Sequence, residues 1–394
     1  MLPRAIPAAT PSDADHPWRL TGPYGTLDGM AEVALIAVGG PFLLSLVATL
    51  WVRRWARRTA FVDRPGGHKQ HHRPVALGGG IALMAAIWLP ILAAAAAAWF
   101  LVRAGVAPDW LPAIVHTHME GVASKAPTLL AILGGAIVLH VTGLIDDRRP
   151  LGPGVKFLVQ FAVAFYIAGP VGIRAVEALP PVVSMIGTAF WIVLIVNAFN
   201  FLDNMDGLSA GVAAIAAAIF GLSAMSVGQV FVPAVAWVLA GALAGFLVFN
   251  FSPATIFMGD AGSLVVGYML AVLTILTTYY DPSQHLTPLG IAVPIVVLAV
   301  PLYDVGSVIV HRRRAGQSPF RGDRRHFSHR LVRRGLSTRK AVLTIYLATA
   351  ATGLPAIILP RVEWTTAVLL LLQCACVVAI IAILEHSGGR GEQG

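Results

Sequence analysis

Cysteine is nearly absent from this sequence: it occurs twice, as Cys374 and Cys376. Two positions apart on a helix, these side chains point to roughly opposite sides, so they cannot form a disulfide with each other. The sequence also has no set of cysteines and histidines at the spacing of zinc ligands. These absences exclude a disulfide-stabilised secreted domain and a structural zinc site.

Charged residues are also scarce, at 12% of the chain, against about 25% in typical soluble domains. Hydrophobic residues make up 57%, more than one soluble domain could bury, so most of this surface must face lipid. Runs near the 20 or so residues that cross a bilayer predict an all-α, polytopic transmembrane helix bundle of about eleven spans. The predicted spans are 30–52, 77–101, 127–145, 157–173, 182–199, 210–227, 231–249, 261–279, 289–310, 341–359 and 365–384.

The N-terminal residues 1–29 have no apolar core, which predicts an extracytoplasmic tail and an uncleaved first span instead of a cleavable signal peptide. Residues 30–385 form one predicted transmembrane domain, and 386–394 form a cytoplasmic tail. Neither a second soluble domain nor an internal repeat is expected.

Lysine and arginine concentrate in three segments, with seven in 53–76, three in 146–156 and eleven in 311–340, of 28 in the chain. Such loops face the cytoplasm, and the alternation of eleven spans places 200–209 and 250–260 there too. The N-terminus is then outside and the C-terminus inside, with the protein in the inner (cytoplasmic) membrane. The formal charge of +9 predicts contact with lipid headgroups and phosphorylated substrates, not with nucleic acid.

Five clusters of polar residues fall on this predicted cytoplasmic side. If the helices form a bundle, the clusters meet in one composite site. The clusters lie at 69–72, 146–149, 197–206, 250–263 and 318–329.

Asp146 and Asp147 end the third predicted span. Adjacent residues on a helix point about 100° apart, so these carboxylates are expected to have different partners. The alternative is that the pair only marks a charged span boundary.

Polar residues recur at every third position from Asn197 through Asn200 and Asp203 to Asp206. Each step of three drifts by about 60° on an ideal helix, so one continuous helix would carry Asn197 and Asp206 on opposite sides. We expect the helix to break near Gly207, so that Asp203 and Asp206 converge on one ligand. A plain loop between two spans is the alternative.

Asp260 lies between Gly259 and Gly262 at the start of a predicted span. It is the first candidate for a Mg²⁺ ligand and Asp203 the second, because Mg²⁺ takes one or two protein carboxylates beside waters and phosphate oxygens. The N–H groups that open the following helix are predicted to favour a phosphate. Alternatively, Asp260 is only a helix N-cap.

The basic segment 311–340 contains His326 and His329 at helical spacing, with Arg324 just before them. Its cations suit a pyrophosphate, although such a segment also serves as a topology determinant. Both histidines are predicted to contact phosphate or substrate. The role of Asp304 stays open, and His140 is predicted to be structural.

Together these segments resemble the polyprenyl-phosphate N-acetylhexosamine 1-phosphate transferases, which include undecaprenyl-phosphate N-acetylglucosamine 1-phosphate transferases and the phospho-MurNAc-pentapeptide transferase. The resemblance covers 60–335 and consists of five motifs in order. The motifs are Asp63-Arg64-Pro65 with Lys69, His71 and Gly79-Gly80; Leu144-Ile145-Asp146-Asp147-Arg148; Asn197-Ala198-Phe199-Asn200 with Asp203, Asp206 and Gly207; Phe249-Asn250, Pro253-Ala254 and Phe257-Met258-Gly259-Asp260 with Gly262-Ser263; and Gly316-Gln317-Ser318-Pro319-Phe320 with Asp323-Arg324, His326 and His329-Arg330-Leu331.

The resemblance implies Mg²⁺, or Mn²⁺ in its place, at Asp260, a uracil ring stacked near Phe257, and carrier phosphate near Asp146 and Asp147. The implied catalytic residues are Asp146, Asp147, Asp203, Asp206, Asp260 and His326. The implied nucleotide or other substrate contacts also include Lys69, Asn197, Asn200, Asn250, Arg324 and His329.

Three positions depart from the family pattern. Asn204 stands where glycine is usual, Ser328 replaces a middle histidine, and His68 precedes Lys69 where arginine is common. Any role of that middle histidine must be absent or moved.

The implied reaction transfers N-acetylglucosamine 1-phosphate, or a related sugar 1-phosphate, from a UDP-sugar to a polyprenyl phosphate, releasing UMP and initiating cell-envelope polysaccharide synthesis. The expected partners are these substrates and the membrane, and a homodimer is left open. Two alternatives stay open, the phospho-MurNAc-pentapeptide transferase reaction and, in another class, a membrane transporter. Asp146 and Asp147 are expected to position the carrier phosphate, or one of them removes its proton.

Overall fold

The computed structural model describes residues 27–64, 74–106, 108, 111, 113–176, 178–280, 286–316 and 326–386. Two of the predicted substrate contacts, Lys69 and Arg324, lie outside these residues, as does most of the N-terminal tail.

The described part of the chain is built from fourteen α-helices, one two-stranded sheet and three short 3₁₀ turns. The first seven helices are α1 Leu27–Arg58, α2 Gly79–Ala104, α3 Ala113–Ser124, α4 Ala126–Arg148, α5 Pro153–Ala168, α6 Pro181–Leu202 and α7 Leu208–Ser226. The others are α8 Phe231–Asn250, α9 Asp260–Leu276, α10 Val293–Val297, α11 Ala299–Arg314, α12 Phe327–Arg333, α13 Thr338–Gly353 and α14 Trp364–His386. The 3₁₀ turns are Pro288–Ala292, Leu354–Ile357 and Leu359–Arg361.

Eight helices in the described segments are long and apolar enough to cross a membrane. A ninth candidate is the pair Pro288–Val297 and Ala299–Arg314, which is bent by 65°. The other two predicted spans fall on α5 and α9, apolar helices of 16 and 17 residues. The all-α polytopic membrane architecture is confirmed, whereas the count of eleven and the sidedness of the termini stay predictions.

Several helices extend beyond their apolar runs, so the connecting segments are shorter than predicted. Helix α1 continues through Arg58, α4 includes Asp146 and Asp147, and α11 continues to Arg314. Long basic side chains can end a span in this way because they reach polar surroundings while their stems stay apolar.

Helix α9 is the central element of the bundle. All of residues 261–274 are buried, and the helix packs against α2, α4, α6, α7 and α8. A helix that is apolar on every side is stable only when it is enclosed in this way. Its first residue, Asp260, therefore lies where several helix ends meet.

A short sheet supports this end of the bundle. Strand β1 (Val62–Asp63) pairs antiparallel with β2 (Val75–Ala76), and Ala76 forms a parallel bridge with Ile256. The next residue, Phe257, donates its N–H to the Ala76 carbonyl at 2.8 Å. The sheet thus holds the segment that leads into α9.

Candidate active site

The segment between α6 and α7 breaks as predicted. Helix α6 ends before Asp203, and Gly207 adopts φ 75°, a conformation that favours glycine. Asn200 is therefore helical, whereas Asp203 and Asp206 lie on the turn. The Asp206 carboxylate accepts the Ala254 N–H at 2.9 Å, which ties this turn to the segment between α8 and α9.

The Asp260 carboxylate joins three helices. It accepts hydrogen bonds from the Lys156 ammonium at 2.8 Å and from the Asn200 amide at 2.9 Å. The same Asn200 amide also donates to the Ser263 hydroxyl at 3.0 Å. The N-cap alternative for Asp260 is wrong, because Gly259 is the N-cap and Asp260 is the first helical residue.

Asp147 on α4 caps the start of α9. Its two carboxylate oxygens accept the N–H groups of Asp260 at 2.8 Å and Ala261 at 3.3 Å. The next two N–H groups, of Gly262 and Ser263, donate to the Gly259 carbonyl. The prediction of a phosphate at these amides is therefore wrong, since all four already have protein acceptors and an N-terminal helix turn offers only about four.

Glycines allow α2 and α4 to approach α9 this closely. A Cβ atom on Gly143 would lie 2.3 Å from the Ala261 nitrogen, and one on Gly80 would lie 2.4 Å from the Gly262 nitrogen. His140, which was predicted to be structural, donates its Nδ1–H to the Ala261 carbonyl at 2.9 Å. Helix α4 thus holds Ala261 by both its N–H and its carbonyl.

Asp146 and Asp147 have different partners, as expected from their adjacency on a helix. Asp146 accepts the Leu151 N–H at 2.7 Å and the Lys156 ammonium at 3.2 Å. Lys156 therefore bridges Asp146 and Asp260. The pair does more than mark a span boundary, because each carboxylate holds a separate contact with another element.

Asp203 faces the carboxylates of this cluster. Burial, and after it the negative charge of Asp260, raise the pKa of Asp203 to about 8. The charges of Asp147 and Asp206 act in the same direction, and a hydrogen bond from the Gly259 N–H partly opposes them. Three other carboxyl groups are thus close enough to disfavour ionisation of Asp203.

The residues of this cluster fit Mg²⁺. No group of three histidine, cysteine or acidic side chains in metal-binding geometry occurs in the described segments, but Mg²⁺ needs only one or two carboxylates. The donor atoms are oxygens, and an excess of carboxylates over the nearby Lys156 ammonium leaves negative charge that a cation would balance. Asp260 and Asp203 are the residues that could hold it.

Two predicted substrate contacts face other partners. The Asn197 amide donates to the Gln160 side chain at 2.6 Å, and the buried Asn250 amide donates to the Ile256 carbonyl at 3.0 Å. Neither amide is among the hydrogen-bond partners of the carboxylates. Phe257 is half-buried, and its contact with uracil stays a prediction.

The segment that carries His326 and His329, here called the histidine segment, packs against the turn that follows α6. The ring centres of His326 and His329 are 6.4 Å apart, and the Ser328 hydroxyl donates to the side-chain amide oxygen (Oδ1) of Asn204 at 2.6 Å. Asn204 and Ser328 are two of the three departures from the family pattern. The structure brings these two departures into direct contact.

The last helix braces this segment. The Glu385 carboxylate on α14 forms an ion pair with the Arg330 guanidinium and accepts a hydrogen bond from the Tyr303 hydroxyl. Arg330 also donates to the Ser307 hydroxyl at 2.7 Å. Helices α11, α12 and α14 are therefore linked through Arg330.

Sequence reasoning missed Lys156 and the partners of Asp304. Lys156 is a single cation at the start of an apolar helix, and this isolated position was the signal that could have identified it. Asp304 accepts hydrogen bonds from the His326 ring and the Phe327 N–H. Its partners are far along the chain, so no local pattern identifies them.

A cleft of about 480 Å³ opens beside Asp147. The Arg148 guanidinium lies over the Phe61 ring there, at 5.0 Å from its centre. Trp55 and Leu77 contribute apolar surface to the same cleft. The cleft thus combines an acidic group, a cation and apolar walls at one end of the bundle.

Fold and site together define a polytopic membrane protein with a carboxylate-rich site at one end of its bundle. The family model for glycosyl transferase family 4 matches residues 129–278, which include Asp147, Asn200 and Asp260. With the relatives below, this match shows that the chain belongs to the polyprenyl-phosphate N-acetylhexosamine 1-phosphate transferases of that family. Membership makes the chain a transferase and removes the transporter alternative.

The chain is similar to curated proteins over most of its length. It is 32% identical to the probable undecaprenyl-phosphate N-acetylglucosaminyl 1-phosphate transferase of Bacillus subtilis, covering 84% of this chain and 87% of that protein. It is 35% identical to the decaprenyl-phosphate N-acetylglucosaminephosphotransferase of Mycolicibacterium smegmatis, covering 81% and 80%. It is 26% identical to the undecaprenyl-phosphate alpha-N-acetylglucosaminyl 1-phosphate transferase of Escherichia coli K12, over 78% of this chain and 79% of that protein.

Proposed function

We propose that the protein transfers N-acetylglucosamine 1-phosphate from UDP-N-acetylglucosamine to a polyprenyl phosphate such as undecaprenyl phosphate, releasing UMP. The reaction would take place on the cytoplasmic side of the inner membrane and initiate a cell-envelope polysaccharide. The observation that carries this proposal is the contact network of Asp147, Lys156, Asn200 and Asp260, which brings four helices together. The names of the relatives support the sugar and the class of carrier.

In the proposed reaction, a phosphate oxygen of the carrier attacks the β-phosphorus of the UDP-sugar. The bond from that phosphorus to the oxygen bridging the two phosphates breaks, UMP leaves with this oxygen, and the product is a polyprenyl diphosphate sugar. A phosphate monoester has a second pKa of about 6, so the carrier is mostly dianionic at neutral pH. No strong base is needed to create the nucleophile.

The main task of the protein is to offset charge on the diphosphate while UMP departs. Lys156 supplies one positive charge close to Asp146 and Asp260. Asp260 and Asp203 would hold Mg²⁺, or Mn²⁺ in its place, which supplies further positive charge to the diphosphate. Asn200 orients Asp260 through its amide hydrogen bond.

Asp147 acts as a positioning residue in this proposal. Both of its oxygens accept backbone N–H groups of α9, so they keep Asp260 in place. A carboxylate used in this way is poorly placed to remove a proton from the carrier. Asp146 has a similar positioning role, because it holds Lys156 from the other side.

Purified protein in detergent, with undecaprenyl phosphate and a UDP-sugar, tests the proposal by release of UMP. UDP-N-acetylglucosamine should be used in preference to UDP-N-acetylgalactosamine and UDP-MurNAc-pentapeptide, and removal of divalent cations should stop the reaction. Preference for the pentapeptide donor would establish the alternative peptidoglycan reaction. Absence of UMP release with every UDP-sugar would contradict the proposal.

A further inference from the structure

Asp304 is a buried carboxylate outside the cluster around Asp260. It lies on α11, past the 65° bend, and is 1% exposed. A carboxylate with so little contact with water is costly unless hydrogen bonds satisfy it. Its partners therefore indicate why the chain keeps an acid at this position.

Both oxygens of Asp304 bind the beginning of the histidine segment. One accepts the backbone N–H of Phe327 at 2.7 Å, and the other lies 2.8 Å from Nδ1 of His326. A carboxylate oxygen can only accept, so Nδ1 carries the proton in this contact. The two bonds fix the orientation of the ring and direct Nε2 away from Asp304.

The other neighbours of His326 are next in the chain to residues of the proposed active site. Its ring meets the Phe201 ring at 5.9 Å in an edge-on arrangement, and Phe201 directly follows Asn200. The adjacent Ser328–Asn204 hydrogen bond ties the same segment to the turn that carries Asp203. His326 thus packs beside the C-terminal end of α6 and the turn that carries Asp203.

Two more ionisable groups lie near this ring. The ring centre of His329 is 6.4 Å from that of His326. The Arg312 guanidinium lies over the Phe201 ring, which contacts His326, at 5.8 Å from the centre of the Phe201 ring. This side of the site is therefore rich in groups that can carry positive charge. An anionic oxygen is the ligand that such surroundings favour.

We propose that Asp304 is a positioning residue, which holds Nδ1–H of His326 so that Nε2 contacts a phosphate oxygen of the bound nucleotide diphosphate. This inference rests on the proposed function, because it takes the UDP-sugar as the ligand. The arrangement is that of a carboxylate that orients a functional histidine through its second nitrogen. Asp304 itself does not touch the substrate.

The tautomer of the His326 ring tests this proposal without a measurement of enzymatic activity. Protein labelled with ¹⁵N-histidine should show His326 protonated at Nδ1, with the resonance assigned by its loss in His326→Gln. Addition of UDP should shift the Nε2 resonance of His326. A ring protonated only at Nε2 in the free protein, or an Nε2 resonance that does not respond to bound UDP, would overturn the proposal.

Kinetics gives the second test. Asp304→Asn should lower kcat by about 10- to 100-fold, the range for losing a carboxylate that orients a functional histidine. His326→Gln should lower kcat at least as much, because it removes the oriented ring itself. The double variant should lose no more than His326→Gln alone, because Asp304 acts only through His326. Multiplied losses would show that Asp304 acts independently of His326.

Ser307→Ala is the matched control on the same helix. Ser307 bonds Arg330 of the histidine segment but not His326, so kcat and the ¹⁵N spectrum of His326 should stay unchanged. An equal loss of kcat in this variant would show that general packing of α11, and not the ring contact, explains the effect. If UDP did not bind at all, the proposed function would fail, whereas the tautomer of His326 in the free protein would still decide the role of Asp304.

Discussion

The carboxylate of Asp147 accepts the backbone N–H of Asp260 at 2.8 Å, across 113 residues of sequence. This contact makes an acid on one helix the cap of another. Charged hydrogen bonds of this kind contribute about 1.5–3 kcal/mol each. The position of Asp260 therefore depends directly on Asp147.

Asp147→Asn should lower UMP release at least about 100-fold, because a displacement of about 1 Å at a reacting centre costs that much. The amide retains one acceptor oxygen but turns an NH₂ group towards the other N–H. The fold-loss should be the same from about pH 6 to about pH 9. This range begins near the second pKa of the carrier phosphate, so it includes both its monoanionic and its dianionic forms. A loss confined to acidic pH would instead favour proton removal by Asp147.

Lys156→Met should lower kcat while strengthening the binding of Mg²⁺. The variant leaves Asp146 and Asp260 without their shared cation, so a divalent ion meets less repulsion. We expect the apparent affinity for Mg²⁺ to rise at least about tenfold, because a unit charge about 5 Å away repels a divalent ion by about 1.7 kcal/mol even at the dielectric constant of water, about 80. Titration of UMP release against Mg²⁺ measures both effects.

Lys125→Met is the control for this measurement, because Lys125 is exposed at the start of α4. Such a surface substitution should change activity by no more than about twofold. Weaker binding of Mg²⁺ in Lys156→Met would indicate that the lysine assembles the metal site and does not compete with it.

Activity at limiting Mg²⁺ should depend on pH through Asp203. Its pKa of about 8 exceeds the ordinary value of an aspartate, so at neutral pH the carboxyl is mostly protonated before a cation binds. Binding of Mg²⁺ requires the ionised form, and the apparent affinity should therefore rise with pH and level off above about 8. In Asp203→Asn the affinity should be low and nearly independent of pH, and an unchanged pH profile would exclude Asp203 as the group responsible.

Gly143→Ala should impair both stability and activity. The added Cβ would meet the Ala261 nitrogen at 2.3 Å, so α4 and α9 would have to separate. Overpacking of this kind costs about 1–3 kcal/mol. A lower melting temperature in detergent and reduced UMP release are expected.

Gly134→Ala provides a matched control on the same helix, because no atom lies within 4 Å of its added Cβ. It should melt close to the unmodified protein. Equal effects of the two substitutions would mean that α4 needs glycine for a reason other than contact with α9.

Asn204 and Ser328 should be energetically coupled. In a double-mutant cycle with Asn204→Ala and Ser328→Ala, the coupling should be about 1 kcal/mol, the usual contribution of one hydrogen bond. Pairing Asn204→Ala with Ser307→Ala instead should give additive losses. Additive losses for Asn204 and Ser328 themselves would show that their 2.6 Å contact contributes no stability.

The transmembrane helices could be predicted because long apolar runs have few alternatives in a bilayer. The break after α6 was also predictable. A continuous helix would place Asn197 and Asp206 on opposite sides, so polar residues of this segment could converge on one ligand only if the helix ended. The location of Asp147 and Asp260 at the same end of the bundle was predictable from the positive charge of the loops, which assigns these loops to one side of the membrane.

The partners of these residues could not be predicted in the same way. Whether the amides that open α9 bind a phosphate or the Asp147 oxygens depends on how closely α4 approaches α9. That distance depends on the packing of Gly143 against Ala261, which the sequence does not reveal. The bridge by Lys156 depends on the rotation of α5 about its axis. Hydrophobicity alone does not determine such rotations in a helix that is partly exposed to lipid.

The ion pair between Glu385 and Arg330 has a consequence for biogenesis. Membrane helices are inserted in the order of synthesis, so α12 must wait for α14 before Arg330 meets its acidic partner. Until then, Asp304 on α11 holds His326 without the further brace that Arg330 receives from α14. A nascent chain would thus complete the contacts of α12 only after α14 had entered the bilayer.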